Sequence, residues 1–154
     1  MYLVDGNNVM GQRVGWHRDK PAARRRLLND LARLAQAKKM RLAVVFDGEP
    51  DTGFPDGSSF SGVKVYYSRL GSDADSRIIE MVERERNRKN LTVVTSDNTL
   101  AARVRACGVR VVRSGEFRRR LDEITASHSS TGEPAVKSGE MSDWLRYFGV
   151  DEDE

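Results

Sequence analysis

The chain has a single cysteine, Cys107, among 154 residues, so no intramolecular disulfide can form. That usage suits a reducing compartment. Its two histidines, His17 and His128, and Cys107 show no ligand-like spacing, which sets aside a zinc site of the Cys/His type. Aromatic residues make up 7% of the chain and form no RNP-like motif, so base-specific readout by an aromatic platform is not expected. No apolar run approaches the 18 or more residues of a membrane span, and Asp5 falls where the apolar stretch of a signal peptide would lie. No G-x-G-x-x-G follows the first apolar run, so no nucleotide cofactor is expected. These absences lead to the expectation of a soluble, cytoplasmic protein with no membrane partner. A chain of this length fits one domain able to bury roughly 68–70% of its unfolded surface, with no need of a disulfide or structural metal.

What is abundant is arginine. Arg24, Arg25 and Arg26 are consecutive, as are Arg118, Arg119 and Arg120, and Arg103, Arg105, Arg110 and Arg113 lie between. Residues 127–154 hold two basic against seven acidic side chains, a net of −5, which leaves +8 on residues 1–126. A basic body suggests a polyanionic partner. The plainer reading is that arginines solvate helix faces.

Short apolar runs at 2–4, 42–46, 63–67, 91–95 and 109–112 mostly do not alternate with polar residues. Such runs predict strands covered on both faces, the mark of a parallel sheet. Between them, Pro21 fits a first helical turn, and Ala23, Leu27, Leu31, Leu34 and Ala35 recur at helical spacing. Ser72 is the expected N-cap of a helix bearing Ile78, Ile79 and Val82. Residues 99–107 form a helix ended by Gly108, and Ser114 opens a last helix with Phe117, Leu121 and Ile124. The order β-α-β-β-α-β-α-β-α predicts an α/β domain over residues 1–126, with about five mostly parallel strands between helical layers. Residues 48–61, GEPDTGFPDGSSFS, read as an aperiodic loop. Residues 127–140 read as a flexible linker, 141–150 as a short amphipathic helix carrying Trp144, Leu145 and Phe148, and 151–154 as a disordered acidic end.

The aspartates follow the strands. Asp5 ends the first in LVDGNN, Asp47 the second in VVFDG, and Asp97 follows the fourth in VVTSD. Asp73 and Asp75, in GSDADS, open the helix after the third. In a parallel sheet the carboxyl ends share one edge, where ligands bind. Each acid alone has an ordinary explanation as a turn former, a cap or a partner of the helix dipole. Together they are costly, since two unpaired carboxylates at 4 Å repel by roughly 4 kcal/mol at an effective dielectric constant of 20. Hard oxygen donors favour Mg²⁺ or Mn²⁺, and ions so held can cleave a phosphodiester.

LVDGNN, VVFDG, DAD and TSD, in this order across residues 1–124, resemble the NYN domains, which are PIN-like nucleases, and in particular the YacP-like bacterial proteins. WLRYFG resembles a short C-terminal piece of some of those proteins. The resemblance implies a PIN-like three-layer α/β/α fold and a divalent-metal-dependent endoribonuclease. Asp5, Asp75 and Asp97 then match the family's catalytic, metal-holding aspartates. Asp47 adds to the acidic pocket, and Asp73, where the pattern often has threonine, is an auxiliary acid. Asn8 is expected to orient a water or a phosphate, Ser96 to bond a neighbouring carboxylate, and Arg69 and Arg77 to contact RNA near the site. The alternative is an RNA- or ribosome-binding module with little or no catalysis. A haloacid-dehalogenase-like phosphatase would require D-x-D at the first strand, where this chain has Asp5-Gly6-Asn7.

Overall fold

The computed structural model describes residues 1–11 and 15–129. Of the linker expected over 127–140 all but the first three residues, and the whole of the helix expected over 141–150, therefore lie outside the described residues. The elements are β1 (Tyr2–Asp5), α1 (Gly6–Met10), α2 (Lys20–Lys38), β2 (Leu42–Phe46), β3 (Ser58–Phe60), β4 (Val63–Tyr67), α3 (Ala74–Arg84), β5 (Thr92–Val94), α4 (Asn98–Ala106), β6 (Arg110–Val112) and α5 (Ser114–Ser129). Short 3₁₀ turns occupy Trp16–Arg18 and Arg88–Asn90. α5 continues to Ser129, past the boundary expected at residue 126.

The six strands form one sheet in the order β3-β4-β2-β1-β5-β6. All neighbours run parallel except β3, which pairs antiparallel with β4 at one edge. β3 is a correction to the expected loop over 48–61. Its residues Ser58, Ser59 and Phe60 carry no apolar run because an edge strand is not covered on both faces, and none of the three is fully buried. Every residue of β1, β2 and β5 is buried, as unalternating strands require.

Successive side chains along the strands go to opposite helical layers. Val4, Val44, Phe46, Val65, Tyr67 and Val94 face α2 and α5, against Leu27, Leu28, Leu31, Leu34, Phe117 and Leu121. Leu3, Ala43, Val45 and Val93 face α3 and α4, against Ile78, Ile79, Val82, Leu100 and Val104. A fully buried leucine contributes roughly 1.5–3 kcal/mol, so each layer is held by several such side chains. The result is a three-layer α/β/α fold, as expected.

β1 leads through α2 to β2 on one side, and β4 leads through α3 to β5 on the other. The chain thus reverses direction across the sheet between β1 and β5. This is the position at which open α/β sheets leave a crevice beyond the carboxyl ends of the strands.

α1 begins immediately beyond β1, and Gly6 is required there by packing. A Cβ on Gly6 would lie 2.6 Å from Phe46 Cδ1 and 3.0 Å from Val44 Cγ2. The glycine lets the chain turn into α1 hard against β2. Among the described residues no helix is long and apolar enough to cross a membrane.

Candidate functional site

Asp5 stands at the reversal between β1 and β5 and is 4% exposed. Its Oδ2 accepts a hydrogen bond from Thr95 Oγ1 at 3.0 Å. The same hydroxyl oxygen accepts from the Asp97 backbone N–H at 3.1 Å. One buried threonine therefore ties the first acid to the backbone of the last. Burial pushes the Asp5 carboxyl up from 3.8 to about 7, helped by the charges of Asp75 and Asp97 and opposed by the Thr95 bond and the Asn8 backbone N–H.

Asp97 is the N-cap of α4, its Oδ1 accepting from the Thr99 and Leu100 backbone N–H groups at 2.9 and 3.1 Å. Asp75 lies in the first turn of α3. Burial raises its carboxyl to about 6, with further contributions from the charge of Asp97, a side-chain hydrogen bond to Asp97, and the charges of Asp73 and Asp47. Asp5, Asp75 and Asp97 are thus within electrostatic reach of one another, and the charges of Asp47 and Asp73 reach Asp75.

Asp73, not Ser72, is the N-cap of α3, accepting from the Ser76 backbone N–H at 2.9 Å. That bond and the Ser76 side chain hold its carboxyl below the usual range, with a smaller contribution from Arg103. Asp73 is therefore an ordinary ionised cap, distinct in kind from Asp5 and Asp75.

The two asparagines of LVDGNN are internal staples. Asn7 Oδ1 accepts from the Asp47 backbone N–H at 2.8 Å, fixing the end of β2 to the start of α1. Asn8 Oδ1 accepts from the Ser96 backbone N–H at 2.9 Å and from Ser114 Oγ at 2.6 Å. The Ser96 hydroxyl accepts from the Ser114 backbone N–H at 2.9 Å, so it faces the start of α5 and not a carboxylate. Asn8 and Ser96, expected to meet substrate and a carboxylate, are thus bonded to one another's segments across the reversal.

The two arginines beside the acidic motif differ from one another in what they touch. The Arg77 side chain is 11% exposed. It donates to the Tyr67 carbonyl at 2.8 Å, pairs with Asp56 at 3.4 Å and lies over the Tyr66 ring, which binds α3 to β4. Arg69 remains half-exposed and pairs with Glu80 at 2.9 Å.

Three site-building residues gave no clear signal in the sequence. Thr95 reads as the last residue of an apolar strand, and Asn7 as turn chemistry. Arg24 reads as part of a basic run, yet it donates to the Asp47 and Glu49 carbonyls at 2.7 and 2.9 Å and lies over the Phe46 and Tyr67 rings. It anchors the segment that carries Asp47.

The acidic donor set suits a hard divalent cation, and the carboxyls of Asp5 and Asp75 are raised first by burial and then by neighbouring acid charge. The set is not a closed cage, however. Among the described residues no three His, Cys, Asp or Glu side chains are grouped so as to hold a metal ion. Asp97 and Asp73 each commit one oxygen to a helix cap, and Asp5 commits one to Thr95.

No curated protein matches the chain. The crystal structure of Rae1 (YacP) from Bacillus subtilis is similar, with a TM-score of 0.67 and 22% identity over 95% of this chain and 82% of that one. Its W164L mutant gives a TM-score of 0.66 and 23% identity over 81% and 76%. At such identities the likeness shows a shared fold. The model of the YacP-like NYN domain matches residues 2–145, so the chain belongs to that family, with its nuclease-like fold.

Proposed function

We propose that the protein is a divalent-metal-dependent endoribonuclease that hydrolyses phosphodiester bonds of single-stranded RNA in the cytoplasm. The observation that carries this reading is the meeting of Asp5, Asp75 and Asp97, carboxyls from distant parts of the chain, near the reversal of the sheet, where Asp5 and Asp75 are raised by burial and by neighbouring acid charge. Structural acids are normally paired with bases or exposed, whereas acids pressed against one another in a crevice mark chemistry.

Asp5, Asp75 and Asp97 would hold Mg²⁺ or Mn²⁺, with Asp47 completing the set and Asp73 contributing charge from its cap. When bound, such an ion supplies Lewis acidity at the phosphodiester. The protein's own part is to position and to charge the site. Thr95 and Asn8 keep Asp5 and Asp97 in register, and Asn7 and Arg24 do the same for Asp47. Asp75 and Asp5 release their protons as pH rises through about 6 and about 7, so the site reaches full negative charge only near neutrality. The exposed arginines supply affinity for the phosphate backbone that weakens with salt.

The test is cleavage of single-stranded RNA in Mn²⁺ or Mg²⁺ by the intact chain and by Asp97→Asn. Loss of at least ~10²-fold is expected, as for removal of one electrostatic group at a reacting centre. Cleavage at the original rate in Asp97→Asn would overturn the site assignment. Salt-sensitive RNA binding with no cleavage in either metal would favour a binding module of the same fold.

A further inference from the structure

Beside the acidic centre, the segments that leave β2 and β4 enclose an open pocket of about 200 Å³. Its walls include Asp47, Glu49 and Pro50 from one segment and Arg69 and Leu70 from the other. The segments are bonded together, with the Gly48 backbone N–H donating to Ser68 Oγ at 3.0 Å and the Ser68 N–H to the Phe46 carbonyl at 2.9 Å. Residues 69–72 close a tight turn through the Ser72 N–H and the Arg69 carbonyl at 2.9 Å. Gly71 in that turn has φ +78°, a conformation that side chains disfavour. Leu70, on this fixed turn, is 99% exposed.

A single exposed leucine on a surface is unremarkable by itself. This one is displayed by a hydrogen-bonded turn at the lip of a cavity, and the cavity shares Asp47 with the acidic centre. We infer that the pocket between residues 47–50 and 68–72 receives the nucleobase of a single-stranded RNA next to the phosphate held at the acids, with Leu70 lying against the face of the base.

The chemistry selects a base over the other parts of a nucleotide. The carboxylates of Asp47 and Glu49 repel a phosphate but accept hydrogen bonds from ring N–H and amino groups. Leu70 and Pro50 offer carbon surface to a flat ring, and such contact tolerates any base because every base has an apolar face. Asp47 lines the pocket and its charge reaches Asp75, so a strand whose phosphate sits at the acids can lay a neighbouring nucleotide along this wall. The Arg69 guanidinium at the rim, half-exposed and paired with Glu80 at 2.9 Å, is available to the next phosphate. A duplex could not supply an unstacked base to this pocket, so the inference also predicts a preference for single strands.

The inference rests on the nuclease reading, and the experiment separates the two. A single-stranded RNA oligonucleotide with one mapped cleavage site is made with an abasic ribose at each flanking position in turn. The intact chain and Leu70→Ala are compared for kcat/KM in Mn²⁺. One flanking position should be sensitive in the intact chain, losing roughly tenfold when its base is removed. Leu70→Ala should lose a similar factor on intact RNA and lose little more on RNA abasic at that position. Equal sensitivity to the abasic position in both proteins, or sensitivity at none, would overturn the pocket and leave the nuclease reading standing. Absence of cleavage in Mg²⁺ and Mn²⁺ would overturn the nuclease reading. The pocket would then be judged by fluorescence anisotropy of the same oligonucleotides in EDTA, where a position-specific loss abolished by Leu70→Ala supports it and a uniform profile rejects it. Leu70 makes no buried contact, so the variant folds as the parent does.

Discussion

The two faces of the sheet are built to different ends. One is covered by α2 and α5, of 19 and 16 residues, which bury Leu27, Leu31, Leu34, Phe117 and Leu121. These helices are further locked by Arg118, which donates to Asp30 at 2.8 Å and to Asp122 at 2.8 Å from a position 5% exposed. The other face is covered by α3 and α4, of 11 and 9 residues, whose first turns carry Asp75 and the capping Asp97. Asp5 follows Leu3 with a strand's alternation and so belongs to this second face. The buried acid of the first face, Asp30, is paired with a guanidinium, whereas the buried acid of the second, Asp5, is bonded to a hydroxyl and faces other acids. The contrast teaches that the acids are tolerated because cohesion comes from elsewhere in the fold.

The sharpest way to break this division is to disable the first face. Arg118→Ala leaves Asp30 buried without its guanidinium, and breaking a buried pair by removing one partner costs roughly 3–5 kcal/mol. Urea unfolding should show a loss of this order. If stability drops by less than ~1 kcal/mol, the α2–α5 lock is not a principal source of cohesion.

The second face should reveal itself through pH. Asp5 holds its proton more tightly in the folded chain, at about 7, than at its ordinary 3.8. Between those values the folded state binds more protons than the unfolded one, so stability falls as pH rises through this window, by at most ~1.4 kcal/mol per pH unit for one group. Asp75, raised to about 6, adds in the same direction but is more exposed and so contributes less. In EDTA the melting temperature should decline from pH 5 to pH 7.5, and Asp5→Asn should flatten that decline. Added Mg²⁺ or Mn²⁺ should restore stability mainly above pH 7, where the acids are ionised. A melting temperature that rises over the same range would contradict the buried, self-repelling site.

Legibility from sequence divides in a similar way. Strands buried on both faces leave continuous apolar runs, so β1, β2 and β5 were readable, and so were the acids that follow strands. β3 was hidden because Ser58, Ser59 and Phe60 sit at an edge with no such constraint. Gly6 looked like a turn former, yet the need for it arises from Phe46, forty positions away. Asn8 looked available to substrate, but its partners Ser96 and Ser114 are distant in sequence and no local pattern announces them. Arg77 flanks the acidic motif in sequence while its guanidinium turns to Tyr67 and Asp56. Strand ends locate carboxylates by topology alone; what each polar side chain bonds to depends on pairings that only the folded chain creates.

The finest test of the contrast is Thr95→Val, which keeps the shape of a fully buried side chain and removes its hydroxyl. The hydroxyl donates to Asp5 and accepts from the Asp97 backbone N–H, so the valine takes the partner from a part-buried N–H and leaves the Asp5 carboxyl less well solvated. A cost of ~1–2 kcal/mol is expected from such a loss. The Thr95 bond lowers the Asp5 pKa, so its removal should move the pH at which stability stops falling to a higher value. Thr95→Ser, which retains the hydroxyl, should return that pH toward the parent while remaining somewhat destabilised by the missing methyl group. An unchanged pH profile in Thr95→Val would mean that the hydroxyl supports packing alone and does not tune the acid at the centre of the site.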